Sequence, residues 1–294
     1  MDRIIIEVGS TVTKVDKYDG KTVERIQEKT IFFKKNYKED KNIRKSDFEE
    51  LIQIVKKLQN TYQNIYVCGT SIFRELEGSE KEEFLTRFKE ATNLDFHIIS
   101  QERESELTVL GATRFIKEKS CVFIGGGGST EIAIYDKGIK ETANTNIGVM
   151  DVLSIFPDLN DNIAMTSLEE VKGYIKERLN VPKDKANVLI LCGGGHEKFA
   201  RLSGILYEEN TLYQDELAPI MMDIDTRTKE TIRYFQEISL DKIKERVEDP
   251  DWWDATRAMC AFVLVVAEMV GAKYIVPTNI GMVYGIIEEL EKNS

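Results

Sequence analysis

The chain begins with an apolar run, Ile4-Ile5-Ile6, followed by Glu7-Val8, a Gly9-Ser10-Thr11 turn and the strand-like Val12 to Val15. The succession returns at Cys121-Val122-Phe123-Ile124, which leads through Gly125-Gly126-Gly127-Gly128-Ser129-Thr130-Glu131 into Ile132-Ala133-Ile134-Tyr135. Each copy reads as a β-hairpin with a nearly side-chain-free turn. Around the first, the pattern predicts strands at 4–8, 12–17 and 31–35. A helix opens on the capping-box pattern Ser46-Asp47-Phe48-Glu49, its apolar positions Phe48, Leu51, Ile52, Ile54, Val55 and Leu58 sharing one face. A strand at 64–68, a helix from Ile72, a helix at 81–92, a strand at 96–100 and a helix at 102–113 follow. Around the second hairpin come strands at 121–124, 131–136 and 141–147, a helix at 167–179 and a buried strand at 188–192 that opens onto Gly193-Gly194-Gly195. Helices at 226–236, 240–247 and 252–270, a strand at 274–277 and a last helix from about Gly281 complete the chain. An order that starts again predicts an internal duplication of α/β class, with its break at the polar Lys117-Glu118-Lys119-Ser120.

Turns of glycine and hydroxyl residues let backbone N–H groups approach a phosphate closely. One such turn is an ordinary structural feature; two point to facing lobes that grip one phosphate-bearing ligand. The length of 294 residues and 42% hydrophobic content suit two packed domains. No apolar run approaches the ~20 residues of a membrane span, and the Met-Asp-Arg start runs straight into a strand rather than a signal peptide. Ala258 to Ala267 reads as a buried helix. Cys68, Cys121, Cys192 and Cys260 show no CxxC spacing, which favours reduced core thiols in a cytoplasmic protein. Two histidines exclude a multi-His metal site, and a net charge of −11 excludes a general nucleic-acid binder. The basic stretch Lys34, Lys35, Lys38, Lys41, Arg44 and Lys45 reads as a solvated loop and helix start, with steering of a polyanion as the other reading.

In combination these segments resemble the exopolyphosphatase and guanosine-pentaphosphate phosphatase (Ppx/GppA) family in its short two-domain form, within the actin-like ATPase superfamily. The resemblance is carried by Gly69-Thr70-Ser71-Ile72-Phe73-Arg74-Glu75, by Ile99 to Leu107 ending at Leu110-Gly111, by Gly126 to Glu131, and by the tail from Gly271-Ala272-Lys273 through Thr278 and Gly281 to Gly285. It implies duplicated actin-like (ribonuclease H-like) lobes with an interdomain cleft. One domain would cover residues 1–117, joined by helix 281–294, and the other residues 118–280. The implied activity is phosphoanhydride hydrolysis, with release of terminal phosphate from polyphosphate or guanosine pentaphosphate. The alternative is a catalytically weakened phosphatase-like protein that binds or senses a phosphorylated ligand.

By the resemblance, Glu104 is the water-activating base and Arg74 the phosphate clamp. Phosphate contacts fall to Gly9, Ser10, Thr11, Thr70, Ser71, Gly126, Gly127, Gly128, Ser129 and Thr130, while Glu7 and Glu131 are left to hold Mg²⁺. The expected partners are polyphosphate or a guanosine polyphosphate and, as an assembly, a homodimer, with no nucleic acid and no membrane. On spacing alone, Glu102, Glu104 and Glu106 read as a solvated helix face, and Arg74 as a partner of Glu75 or Glu77. The departures from the family are specific. Glu7 and Ile124 stand where the family has Asp, Arg103 replaces the first of two paired glutamates, and Asp151 falls where the family carries Arg. His196 in the third glycine loop reads as a polar cap, Asp254 matches a family Asp, and Trp252 and Trp253 read as packing residues.

Overall fold

The computed structural model describes residues 2–9, 12–33, 36–37, 42–193, 195–245 and 253–292. The chain divides into two units, Met1–Leu107 with Ile286–Ser294, and Thr108–Gly285. In the first, the apolar opening run forms β1 (Arg3–Val8), antiparallel to β2 (Val12–Tyr18), which in turn pairs with β3 (Val23–Thr30). Helix α1 (Lys45–Gln59) leads to β4 (Asn64–Gly69), which lies parallel to β1. A 3-10 turn (Ser71–Glu75), α2 (Gly78–Thr92), β5 (Phe96–Ile98) and α3 (Gln101–Ala112) follow, and the sheet order is β3-β2-β1-β4-β5. Period-two alternation sends Ile4, Ile6, Val8, Val15 and Val67 into one core with Leu51 and Val55 of α1 and Phe84 and Phe88 of α2. Glu7, Lys14 and Asp16 alternate onto the opposite face.

The second unit repeats the plan. Strands β6 (Ser120–Gly125), β7 (Thr130–Tyr135) and β8 (Ile139–Thr145) form its meander, followed by α4 (Val149–Ile155), α5 (Leu168–Arg178), β9 (Val188–Cys192) and α6 (His196–Leu202). Then come β10 (Glu208–Glu209), β11 (Ile220–Asp223), α7 (Ile224–Gln236), α8 (Leu240–Lys244), α9 (Thr256–Val270), β12 (Tyr274–Pro277) and α10 (Met282–Lys292), whose residues from Ile286 onward belong to the first unit. The sheet runs β10-β11-β12-β9-β6-β7-β8. Read from its far edge, β8-β7-β6-β9-β12 matches the order of the first sheet, so the duplication read in the sequence is realised in topology. Helix α9 is buried on nearly all sides, as its apolar composition requires. Near its start, Arg257 is 1% exposed and spends all five N–H groups on backbone carbonyls, those of Tyr234, Leu159, Asp161, Asn162 and Ile238, at 2.7–3.3 Å.

Several expectations are corrected. The third strand is Val23–Thr30 rather than 31–35, because β3 is the sheet edge and its exposed side chains hide the strand among polar residues. Helix α1 starts one residue before Ser46, with Arg44 at the N-cap and no side-chain cap, so the capping box is not formed. Helix α9 begins at Thr256 because Ala255 adopts a left-handed φ of 68° that stops the helix there. The short β10, β11, α4 and α6 lie where periodicity gave no signal. Of the predicted basic stretch, Lys34, Lys35, Lys38 and Lys41 lie outside the described residues, as does Trp252. Trp253 is fully buried against Phe199, at 5.9 Å between ring centroids.

Candidate functional site

In the first unit, β4 ends at Gly69 and the chain turns at once. Thr70 N–H donates to the Val8 carbonyl at 3.1 Å, and Phe73 N–H to the Thr70 carbonyl at 3.2 Å. This tight exit delivers Arg74 at the end of the 3-10 turn. Glu104 comes from the first turn of α3, which Ser100 caps by accepting the Arg103 N–H at 3.1 Å. The two side chains meet: Arg74 Nη1 donates to Glu104 Oε2 at 2.7 Å and, more weakly, to the Ile99 carbonyl at 3.4 Å. With 28% and 37% of these side chains exposed, a ligand can reach both. The pairing of Arg74 with Glu75 or Glu77 does not occur among the described contacts.

Glu7 sits at the end of β1 with Lys14 Nζ 4.0 Å from its carboxylate. Burial pushes its pKa up against the pull of Lys14, and the nearby Glu104 and Asp16 charges push the same way. Asp16, 3% exposed and bound to Arg25 Nε at 2.5 Å, is a charged neighbour that sequence reading missed. Its signal was a lone acid on an alternating strand. Arg103 does not join this group. It pairs with Glu106 at 2.9 Å and with Glu289 of α10, a tie within the first unit that accounts for an arginine at that position. Gly9 spends its N–H on the Val12 carbonyl at 3.0 Å. Ser10 and Thr11 lie outside the described residues, as does the side chain of Ser71. Thr70 is buried with its N–H already used.

In the second unit, Gly126 N–H closes the hairpin onto the Ser129 carbonyl at 2.9 Å. The carbonyls of Gly126 and Gly127 accept from Val149 N–H at 3.1 Å and Met150 N–H at 2.9 Å, so the turn rests on the first turn of α4. Gly148 makes that approach possible: a Cβ there would lie 2.5 Å from the carbonyl oxygens of both Gly126 and Gly127. Asp151, in place of an arginine, accepts the Gly148 N–H at 2.8 Å and fastens the start of α4. With the carbonyls turned to α4, the N–H groups of Gly127, Gly128 and Ser129 have no acceptor among the described residues. Thr130 donates its hydroxyl to the Ile147 carbonyl at 2.8 Å and is buried, so it braces the turn. Glu131 is 8% exposed on β7, directly opposite Ile124 in the sheet.

Among the described residues, no cluster of three or more His, Cys, Asp or Glu is assembled that would hold a metal ion. Glu7 beside Glu104 is a pair of carboxylates already answered by Lys14 and Arg74, and Ile124 brings no oxygen to Glu131. Mg²⁺ is ordinarily held by one or two carboxylates together with water and substrate phosphate rather than by a protein cage, and a single carboxylate is what Glu7 or Glu131 offers. All four cysteines are free and buried. Among the described residues, no helix is long and apolar enough to cross a membrane.

The family whose sequence model matches the chain, over residues 11–248, is the Ppx/GppA phosphatase family. Among solved structures, the type II variant of the Aquifex aeolicus Ppx/GppA phosphatase aligns with a TM-score of 0.77 at 20% identity, covering 98% of this chain and 99% of that one. An exopolyphosphatase from Cytophaga hutchinsonii aligns with a TM-score of 0.69 at 16% identity, over 100% and 98% of the two chains. At these identities the alignments establish the shared fold. No curated protein gives a significant sequence match.

Proposed function

The chain belongs to the Ppx/GppA phosphatase family, and from that premise we propose that it is a phosphoanhydride hydrolase releasing terminal phosphate from polyphosphate or a guanosine polyphosphate. The observation that carries this reading is the contact of Arg74 with Glu104. A guanidinium is the donor suited to phosphoryl oxygens, and a carboxylate beside it is the group that can take a proton from water.

Arg74 binds the terminal phosphoryl group, which competes with Glu104 for the guanidinium. Glu104, released from its bond to Arg74, is left with a carboxylate oxygen that can accept a hydrogen bond from water. A water oxygen attacks the terminal phosphorus, Glu104 takes the water proton, and the bridging P–O bond breaks with its electrons leaving on the shortened chain. In the second unit, the N–H groups of Gly127, Gly128 and Ser129, without an acceptor among the described residues, are neutral donors of the kind that suit phosphate oxygens. Glu7 or Glu131 would hold a Mg²⁺ ion, which would supply charge neutralisation to the phosphoryl oxygens.

The test is phosphate release from polyphosphate, guanosine pentaphosphate and ATP, with and without Mg²⁺, beside Glu104→Gln. The amide keeps the hydrogen bond to Arg74 but cannot take the proton, so release falls by about 10²–10⁴-fold. Unchanged turnover sinks the mechanism. A second reading, a protein that binds a phosphorylated ligand without consuming it, is favoured by Ile124 opposite Glu131. It predicts binding with the ligand recovered intact.

A further inference from the structure

Helix α7 buries an arginine that has no counter-ion among the described residues. Arg227 is 3% exposed, its Nη2 reaches only the Cys260 sulfur at 3.4 Å, and its Nε has no partner. Its remaining contact is the Phe199 ring, 5.3 Å from the guanidinium carbon. Arg257, equally buried in the same unit, shows the alternative, with every N–H satisfied by a carbonyl. A buried cation left unpaired is costly unless something supplies the missing charge and acceptors.

Arg227 lines a cavity of about 260 Å³ that lies wholly within the second unit, with Val149, His196, Phe199, Thr256 and Met259 among its walls. The N-terminus of the 15-residue α9 opens on the same cavity through Ala255 and Thr256, with no side-chain cap, and its dipole adds positive potential. The other groups on the wall do not answer this charge. Burial and the Arg227 charge push His196 down to about 3, which leaves it neutral, and burial pushes the Cys260 thiol up. The carboxylate of Asp254 is turned to Lys244 at 2.9 Å and is 43% exposed. Val149, Phe199 and Met259 make the rest apolar. A cavity of about 150 Å³ already accepts a benzene ring, so this one holds a ring together with an anionic head.

We propose that this cavity is a binding site for a small organic oxyanion, a carboxylate or phosphate group on an apolar body, with Arg227 as its counter-ion. The cavity wall, which includes Gly125, Gly193 and Gly195, contains neither Arg74 nor Glu104, and the proposal does not rest on their chemistry.

The test is thermal unfolding of the full chain in anion-poor buffer with benzoate, phenylphosphonate or inorganic phosphate, each at ~10 mM, where binding to the folded state raises the midpoint. Benzoate or phenylphosphonate stabilises the wild type, and which of them acts identifies the head group. Arg227→Met, which keeps the volume and removes the charge, weakens the response at least about tenfold. It also unfolds at a higher temperature than the wild type without anion, because the unpaired cation is gone. Met259→Trp fills the cavity, leaves Arg227 in place and abolishes the response, and it decides the matter if Arg227→Met does not fold. Arg74→Ala leaves the response intact; its loss there would place the anion at the phosphate site and overturn the proposal. No response to any of the three probes, or an equal response in the wild type, Arg227→Met and Met259→Trp, also overturns it.

Discussion

Replacing Gly148 by alanine separates the glycine turn from the helix that supports it. The added Cβ would meet the carbonyl oxygens of Gly126 and Gly127 at 2.5 Å, and both are backbone atoms that cannot swing aside as a side chain could. The turn must therefore withdraw, and the bonds from Val149 N–H and Met150 N–H, now 3.1 and 2.9 Å, lengthen or break. Two hydrogen bonds at about 1 kcal/mol each and the strain of an overpacked site give an expected loss of about 3–5 kcal/mol. The assay is urea unfolding followed by tryptophan fluorescence. Both tryptophans, Trp252 and Trp253, fall in the second unit, so the signal reports the part of the molecule that Gly148 occupies. Displacement of the turn also moves the N–H groups of Gly127, Gly128 and Ser129, so affinity for polyphosphate falls together with stability. A Gly148→Ala protein within about 0.5 kcal/mol of the wild type, the range of an ordinary surface change, refutes the reasoning.

Arg74→Ala removes the charged donor and weakens polyphosphate binding by about 1.5–3 kcal/mol in calorimetric titration; unchanged affinity places the ligand elsewhere. Glu7→Gln tests burial of a charge. Because the folded-state pKa of Glu7 lies above its ordinary value of 4.5, the native carboxyl holds its proton more tightly than the unfolded one, and the wild type loses stability as pH rises through that window. The variant is therefore the more stable protein at pH 7, and its advantage vanishes as pH falls below 4.5; a constant difference across pH contradicts this. Arg257→Lys offers three donors to five carbonyls, and two buried acceptors left unpaired cost about 2–5 kcal/mol by the same fluorescence assay, whereas near-wild-type stability would mean that water replaces the lost donors.

The duplicated sheet was legible because each copy begins with apolar runs long enough to be strands and closes on a glycine turn. β3 was not, since an edge strand with one solvated side has no apolar signature to read. Of the candidate site, Arg74 and Glu104 stand thirty positions apart and became a pair only through the family resemblance; their contact at 2.7 Å depends on how β4 and α3 exit the sheet. The part played by Gly148 was invisible, because nothing local distinguishes a glycine that admits a neighbouring backbone from one that simply turns. Arg227 and Arg257 make the same point with opposite outcomes. Both interrupt otherwise buried helix faces, and only long-range packing decides that one is saturated while the other has no counter-ion among the described residues.

The five-carbonyl seat of Arg257 has a consequence for the order in which the second unit can be completed. Its acceptors lie at Leu159, Asp161 and Asn162 and at Tyr234 and Ile238, all of which leave the ribosome before the arginine does. Until residue 257 emerges, those carbonyls lack the donor that gathers all five, and the 159–162 segment is held to the chain after Ile238 through the bonds that Ser239, Leu240 and Asp241 make to Asn162, without the arginine between them. A nascent chain that stops at residue 245 would thus carry the whole 120–202 stretch yet remain more open to protease at these two segments. The same chain extended through α9 would close them in a single step.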